Sequence, residues 1–165
     1  MTDRETYPRS IIVLHWTIVA LILAQMLTAD GMGAFFDTGA DIGEAPGLPG
    51  PSVALAHAGF GATILILVIA RFIIRMASRI PPPPSDLHPV LQFIARATHY
   101  ALYATLVALP LSGAAALLVT PDMGDVHEVL KNVLYGLAGL HVFGALTHLV
   151  LRDGVFWRIL PVVRR

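Results

Sequence analysis

Residues Val126–Leu151 read VHEVLKNVLYGLAGLHVFGALTHLVL. As a helix these 26 residues span about 39 Å, more than the ~30 Å hydrocarbon core of a bilayer. Three histidines punctuate the run: His127, His141 and His148. Their separations of 14 and 7 residues are close to whole numbers of helical turns, so all three fall on one stripe. Ala138, Gly144 and Ala145 lie three or four positions either side of His141, on the same face. Ionisable groups at membrane depth are costly, so they point into the protein and mark a function. A line of imidazoles with small neighbours predicts a flat cofactor lying against this helix.

The rest of the chain agrees with a membrane setting. Of 165 residues, 56% are hydrophobic and only 13% charged, with a mean hydropathy of +0.72. Soluble domains carry roughly 25% charged residues. The formal net charge is zero, so no bulk electrostatic argument for nucleic acid applies. The chain has no cysteine, which excludes disulfides, iron–sulfur clusters, thiolate metal sites and covalent C-x-x-C-H haem attachment. Any cofactor must be held non-covalently, and the seven histidines are the obvious supply.

Four apolar stretches emerge along the chain: approximately residues 11–29, 53–74, 90–119 and 126–151. The first carries His15-Trp16 and follows Arg4 and Arg9. A signal peptide competes for this stretch, with its basic start and the small residue Ala29; the length and the internal His-Trp pair argue against it. Residues 30–51 are rich in Gly and Pro, acidic, and read as a loop. The second span holds His57 one turn in and Arg71 near its far end, and Pro81–Pro84 then form a stiff connector. The third contains His99 and an interior Pro110 that should kink it. A short turn with Asp122 or Asp125 as N-cap leads into the fourth. The basic, aromatic tail suits a membrane interface.

Four spans with short connections predict an all-α, up-down-up-down bundle forming a single membrane domain over residues 1–165. Its orientation follows from charge. Arg4, Arg9, Arg71, Arg75, Arg79, Arg96, Arg152, Arg158, Arg164 and Arg165 fall on one side, and only Lys131 on the other, beside seven carboxylates. The positive-inside rule makes the arginine side, with both termini, cytoplasmic.

Depth then pairs the histidines. His15 lies a few residues into the first span from the inner side, and His57 a similar distance into the second from the outer side. The two levels differ by roughly 15–20 Å. On the fourth span, His127 and His141 are ~21 Å apart, whereas His141 and His148 are only ~10.5 Å apart. Spacing therefore favours His57 with His127 at the outer level and His15 with His141 at the inner level. A haem with an imidazole on each face has both axial positions filled and exchanges electrons without an open site for dioxygen. Two such haems form a short electron path across the membrane.

Other residues have alternative readings. His148 is the alternative inner ligand, its default role being to support a ligand from behind or to sit near a quinone. His99 reads as a hydrogen-bonding or quinone-proximal group, and His88 as solvated. Arg71 and Arg75 share a face and suit haem propionates through bidentate pairing, or else set topology and snorkel. Lys131, one turn from His127, suits the outer propionate. Gly61, one turn from His57, makes room for a ring or serves plain helix packing.

The stretches LHW at His15, LAHAGFG at His57, VIARFIIR at Arg71 and Arg75, THYALYATLVALPLSG, VHEVLKN at His127 and GLHVFGALTH at His141 together resemble the bacterial cytochrome b561 family, related to the b-type subunits of nickel–iron hydrogenases and formate dehydrogenases. The resemblance covers nearly the whole chain. It implies two non-covalent haem b groups with bis-histidine ligation by His15, His57, His127 and His141; the propionate reading adds Arg71 at the cofactor. It further implies a bacterial inner (cytoplasmic) membrane location and electron exchange with a ubiquinone-type quinone.

The leading expectation is a dihaem cytochrome moving electrons between an outer redox partner, such as a basic periplasmic protein, and the quinone pool. One branch of the family oxidises superoxide and reduces ubiquinone, which makes a superoxide:ubiquinone oxidoreductase the alternative. The acidic outer loops argue against that branch, because they would repel the anion. A haem-free metal transporter is a third reading, but the spans carry no carboxylates apart from Glu128 at one end. Expected partners are membrane lipid, quinone, a periplasmic redox protein and a second copy of the chain.

Overall fold

A computed structural model describes residues 7–38, 49–82 and 87–161. Four long helices account for most of them: α1 (Arg9–Thr38), α2 (Pro49–Ala77), α3 (Pro89–Leu118) and α4 (Met123–Leu151), followed by a 3₁₀ turn at Phe156–Arg158. Each contains a stretch long and apolar enough to cross a membrane. The outward faces fit a lipid solvent. Among the described residues only seven hydrophobic side chains are buried, whereas thirty-one large ones are exposed, including Leu27, Phe93, Leu118 and Phe143. In water that distribution would be an aggregation surface. Among acyl chains it costs nothing. The fold is an all-α, four-helix membrane-spanning bundle.

The first connection is shorter than the 30–51 loop expected. The helix of the first span runs on to Thr38, and the second begins at Pro49. Gly31 and Gly33 each cost a helix about 1 kcal/mol relative to Ala, too little to stop one that is already propagating. Pro49 and Pro51 sit in a first turn, where a missing N–H is harmless. The remainder of that loop, with Asp41 and Glu44, lies outside the described residues, as do Pro83, Pro84, Arg4, Arg164 and Arg165.

One end cap falls where expected and one does not. Asp122 takes the N-cap position of α4, but its side chain makes no capping bond. His88 is exposed but not merely solvated, because its Nδ1 accepts the Val90 N–H at 3.3 Å and caps α3. Helix α3 continues through Pro110 to Leu118, although Pro110 has no N–H to offer the Leu106 carbonyl.

Packing is uneven. Helix α1 lies on α2, α2 on α3, and α3 on α4. Ile18, Ile64 and Val68 form the buried cluster between α1 and α2, with Leu106 and Val107 of α3 against it. Gly61 lets α1 come close, since a Cβ there would stand 3.1 Å from Gln25 Nε2. Helix α4, like α1, packs its backbone against one other long helix. Among the described residues, no Cα of α4 comes within 8 Å of one on α1 or α2, and Leu134 is its only buried residue.

The tail crosses beneath this gap. Trp16 Nε1–H donates to the Ile159 carbonyl at 2.9 Å, and Arg158 Nη1–H donates to the Pro82 carbonyl at 2.8 Å. These bonds tie the segment after α4 to α1 and to the α2–α3 connection.

Candidate functional site

Imidazole rings bridge the space that the backbones leave open. His57 of α2 faces His127 of α4 with ring centroids 6.3 Å apart, and His15 of α1 faces His141 of α4 at 6.1 Å. The planes of the two rings cross at 65° and 72° respectively. Each pair joins helices whose backbones do not touch. The pairs stand 14 residues apart along α4, or ~21 Å.

The His57–His127 pair is held from behind. His127 Nδ1 lies 2.9 Å from the Leu109 carbonyl of α3. A carbonyl only accepts, so Nδ1 carries the proton and Nε2 keeps its lone pair. Ser112 donates to the same carbonyl at 2.8 Å and stands 3.2 Å from His127 Nδ1. Gly113 completes the seat. A Cβ there would lie 3.1 Å from both Cε1 and Nδ1 of His127, so only a residue without a side chain lets the ring in this close. Across the gap, Thr28 Oγ1 lies 3.1 Å from the Ala24 and Gln25 carbonyls, to which it donates, and 3.0 Å from His57 Nδ1. It therefore accepts from His57, again leaving Nε2 bare. A cavity of about 570 Å³ opens between the helices here, lined by His57, His127, Gln25, Leu109, Glu128 and Lys131 among others. Its size is that of a small-molecule or cofactor site.

The His15–His141 pair is built differently. Among the described residues, neither ring has a hydrogen-bond partner. His15 makes an edge contact with Trp16 at 5.4 Å. His99 of α3 approaches His141 to 5.0 Å, with its Nδ1–H donated to the Ala95 carbonyl at 2.6 Å. Arg71 of α2 reaches Tyr103, one helical turn along α3 from His99. Its Nη1–H donates to the Tyr103 hydroxyl at 2.5 Å and its guanidinium lies over the Tyr103 ring, while Nε is buried with no partner among the described residues. A buried guanidinium N–H without an acceptor leaves a strong donor free for an anion.

Two further pairs are local. Lys131 pairs with Glu128 at 3.1 Å. His148 Nδ1 meets the Asp153 carboxylate at 2.5 Å, just past the end of α4. Burial pushes the Asp153 carboxyl up, but hydrogen bonds from His148 and the Val155 N–H outweigh it and hold the group below its usual range. Thr28, Ser112, Gly113 and the Leu109 carbonyl had no distinguishing signal in the sequence.

Among the described residues no three His, Cys, Asp or Glu side chains converge on a common point. The arrangement consists of imidazole pairs. A family description, prokaryotic cytochrome b561, matches residues 6–161. A relative from Yersinia pestis described as a probable superoxide oxidase, CybB, is 27% identical, over 92% of this chain and 93% of that protein. With four membrane-length helices, these likenesses assign a multi-pass location in the bacterial inner membrane.

Proposed function

This chain belongs to the prokaryotic cytochrome b561 family, and on that premise we propose that it is a dihaem b-type cytochrome acting as a superoxide:quinone oxidoreductase. The carrying observation is the separation of the paired rings, 6.1 and 6.3 Å. A metal held by one nitrogen of each ring at a bond length of ~2.0 Å, with ~1.1 Å from nitrogen to ring centre, sets collinear centroids ~6.2 Å apart. The 5.0 Å contact of His99 with His141 is too short for that arrangement, so His15 and not His99 is the partner. Among the described residues two imidazoles meet at each site with no third ligating side chain. Such a pair would suit a haem, whose porphyrin would bring the remaining iron ligands, and this argues against a haem-free transporter.

His57 and His127 would hold one haem, and His15 and His141 the other. Arg71, with its unpartnered Nε, suits a propionate at the second site. Bound in this way, haem supplies reversible one-electron chemistry. The protein supplies placement, ligands in a fixed tautomer and a low-dielectric setting. With both termini cytoplasmic and the helices alternating in direction, His57 and His127 lie toward the periplasm. Two superoxide anions there would yield two dioxygen molecules and two electrons. A quinone at the other face takes up those electrons and two protons to become a quinol.

Superoxide is favoured as donor by the likeness to the Yersinia protein. A cationic redox protein is a second reading, supported by Asp125 and Glu128, which line the cavity and are exposed, and by the pairing of Lys131 with Glu128. Purified protein should show two low-spin b haems per chain in a reduced-minus-oxidised spectrum, unreactive to carbon monoxide. A superoxide flux should then drive quinol formation that catalysed dismutation abolishes. Absence of quinol from fully haem-loaded protein would rule out superoxide and leave the protein donor. A colourless protein would overturn both.

A further inference from the structure

The two histidine pairs differ in what stands behind them, and we infer that this difference sets the His57–His127 site at the lower reduction potential and the His15–His141 site at the higher. Electrons would then run downhill from the first to the second. The inference rests on the dihaem reading and adds its direction.

Ligand basicity is the first contribution. His127 gives its Nδ1–H to the Leu109 carbonyl at 2.9 Å, and His57 gives its own to Thr28 Oγ1 at 3.0 Å. Donating that proton makes the opposite nitrogen a stronger electron donor. A more basic axial ligand favours the oxidised metal and lowers the potential. Neither His15 nor His141 donates to an acceptor among the described residues, so their rings remain weaker donors.

Local charge acts in the same sense. Arg71 donates to the Tyr103 hydroxyl, one helical turn along α3 from His99, whose ring lies 5.0 Å from that of His141. No carboxylate among the described residues pairs with Arg71. A fixed cation in a low-dielectric setting favours the state holding one more electron. If Arg71 binds a propionate, it cancels a negative charge that the other site leaves standing. There, Lys131 is already paired with Glu128, and Asp125 also lines the cavity.

The transfer moves one electron and no proton. With haem held by each pair, the site at His57 and His127 would give up the electron, the site at His15 and His141 would take it, and no bond would form or break. In the proposed orientation the electron moves from the periplasmic level toward the cytoplasmic one.

The test is a spectroelectrochemical titration of the full chain in lipid nanodiscs. His57→Ala and His15→Ala each leave one site loaded and so assign the two waves. The wave retained by His15→Ala should lie at least tenfold in equilibrium constant, ~59 mV for one electron, below that retained by His57→Ala. Thr28→Val should raise only the lower wave, and Thr28→Ser should restore it. Arg71→Gln should lower only the upper wave. Should the single-site variants not assemble, the opposite shifts of the two waves in Thr28→Val and Arg71→Gln carry the same information. Coincident or reversed potentials, or a Thr28→Val protein with unmoved waves, would overturn the inference and leave the dihaem reading intact. Fewer than two haems in the wild-type spectrum would overturn that reading, and the inference with it.

Discussion

The His127 ring on α4 reaches the Leu109 carbonyl on α3, with Nδ1 2.9 Å from the oxygen. This contact fixes the tautomer of a ring that faces away from α3, toward His57. It depends on the bare backbone at Gly113, where any Cβ would press on the imidazole.

Gly113→Val should therefore push His127 out of line and cost close to one haem per chain. Gly113→Ala should retain the haem with a measurably shifted absorption band, since the ring has to give by only a few tenths of an ångström. Haem quantified per chain in purified protein checks both. Full haem content in Gly113→Val would show that the seat is dispensable.

Removing any one of His15, His57, His127 or His141 should remove one haem and leave the other. Doubling within a pair should add little. His57→Ala with His127→Ala should match either single variant, whereas His57→Ala with His141→Ala should be colourless. Loss of both haems from one single substitution in a folded protein would mean that the pairing is wrong.

Stripping the cofactor should loosen α4 more than the other helices. Among the described residues its backbone stays beyond 8 Å from α1 and α2, so the paired rings and what they bind are a main link across that gap. Hydrogen exchange should rise along α4 of the apoprotein while α1 and α2 remain protected. Uniform exchange across all four helices would contradict this.

Trp16→Phe keeps the ring beside His15 but removes the donor to Ile159. Losing one such bond should cost on the order of 1 kcal/mol and free the tail. Cleavage within residues 153–161 by limited proteolysis should speed up while haem content holds. An unchanged cleavage rate would assign the anchoring to other contacts, such as Arg158 with Pro82.

Asp153 provides a pH test. Its carboxyl titrates below its usual range in the folded state. The stabilisation is then fully present above the unfolded value of ~3.9 and is lost as pH falls through the lower folded one. Asp153→Asn should lower Tm at pH 7, with the gap to wild type closing below about pH 4. A gap of constant size down to pH 3 would mean that the carboxylate charge contributes nothing to the α4–tail junction.

Much of the architecture was legible from composition and spacing. Long apolar runs have few alternatives in a chain with so little charge, and 14 residues between His127 and His141 can only mean two levels on a helix. The connection after α1 was not legible in the same way. Gly31 and Gly33 look like loop residues, yet their cost is small against the drive of a helix already under way. Gly61 was ambiguous for a related reason: a missing side chain reads the same whether a ring or a neighbouring helix takes the space. His148 could be placed on the histidine stripe but not matched to Asp153, because that partner lies past the turn where the helical period stops applying.

From its own order, the chain determined that it spans a bilayer four times and carries imidazoles at two depths. Both follow from a fixed rise per residue and from the cost of charge in hydrocarbon. Only the tertiary structure decided what stands behind each ring. Leu109, Thr28 and Gly113 meet their histidines across helix boundaries, and hydrogen bonds between helices obey no period that a linear reading can detect. The asymmetry between the two pairs is therefore a property of packing alone.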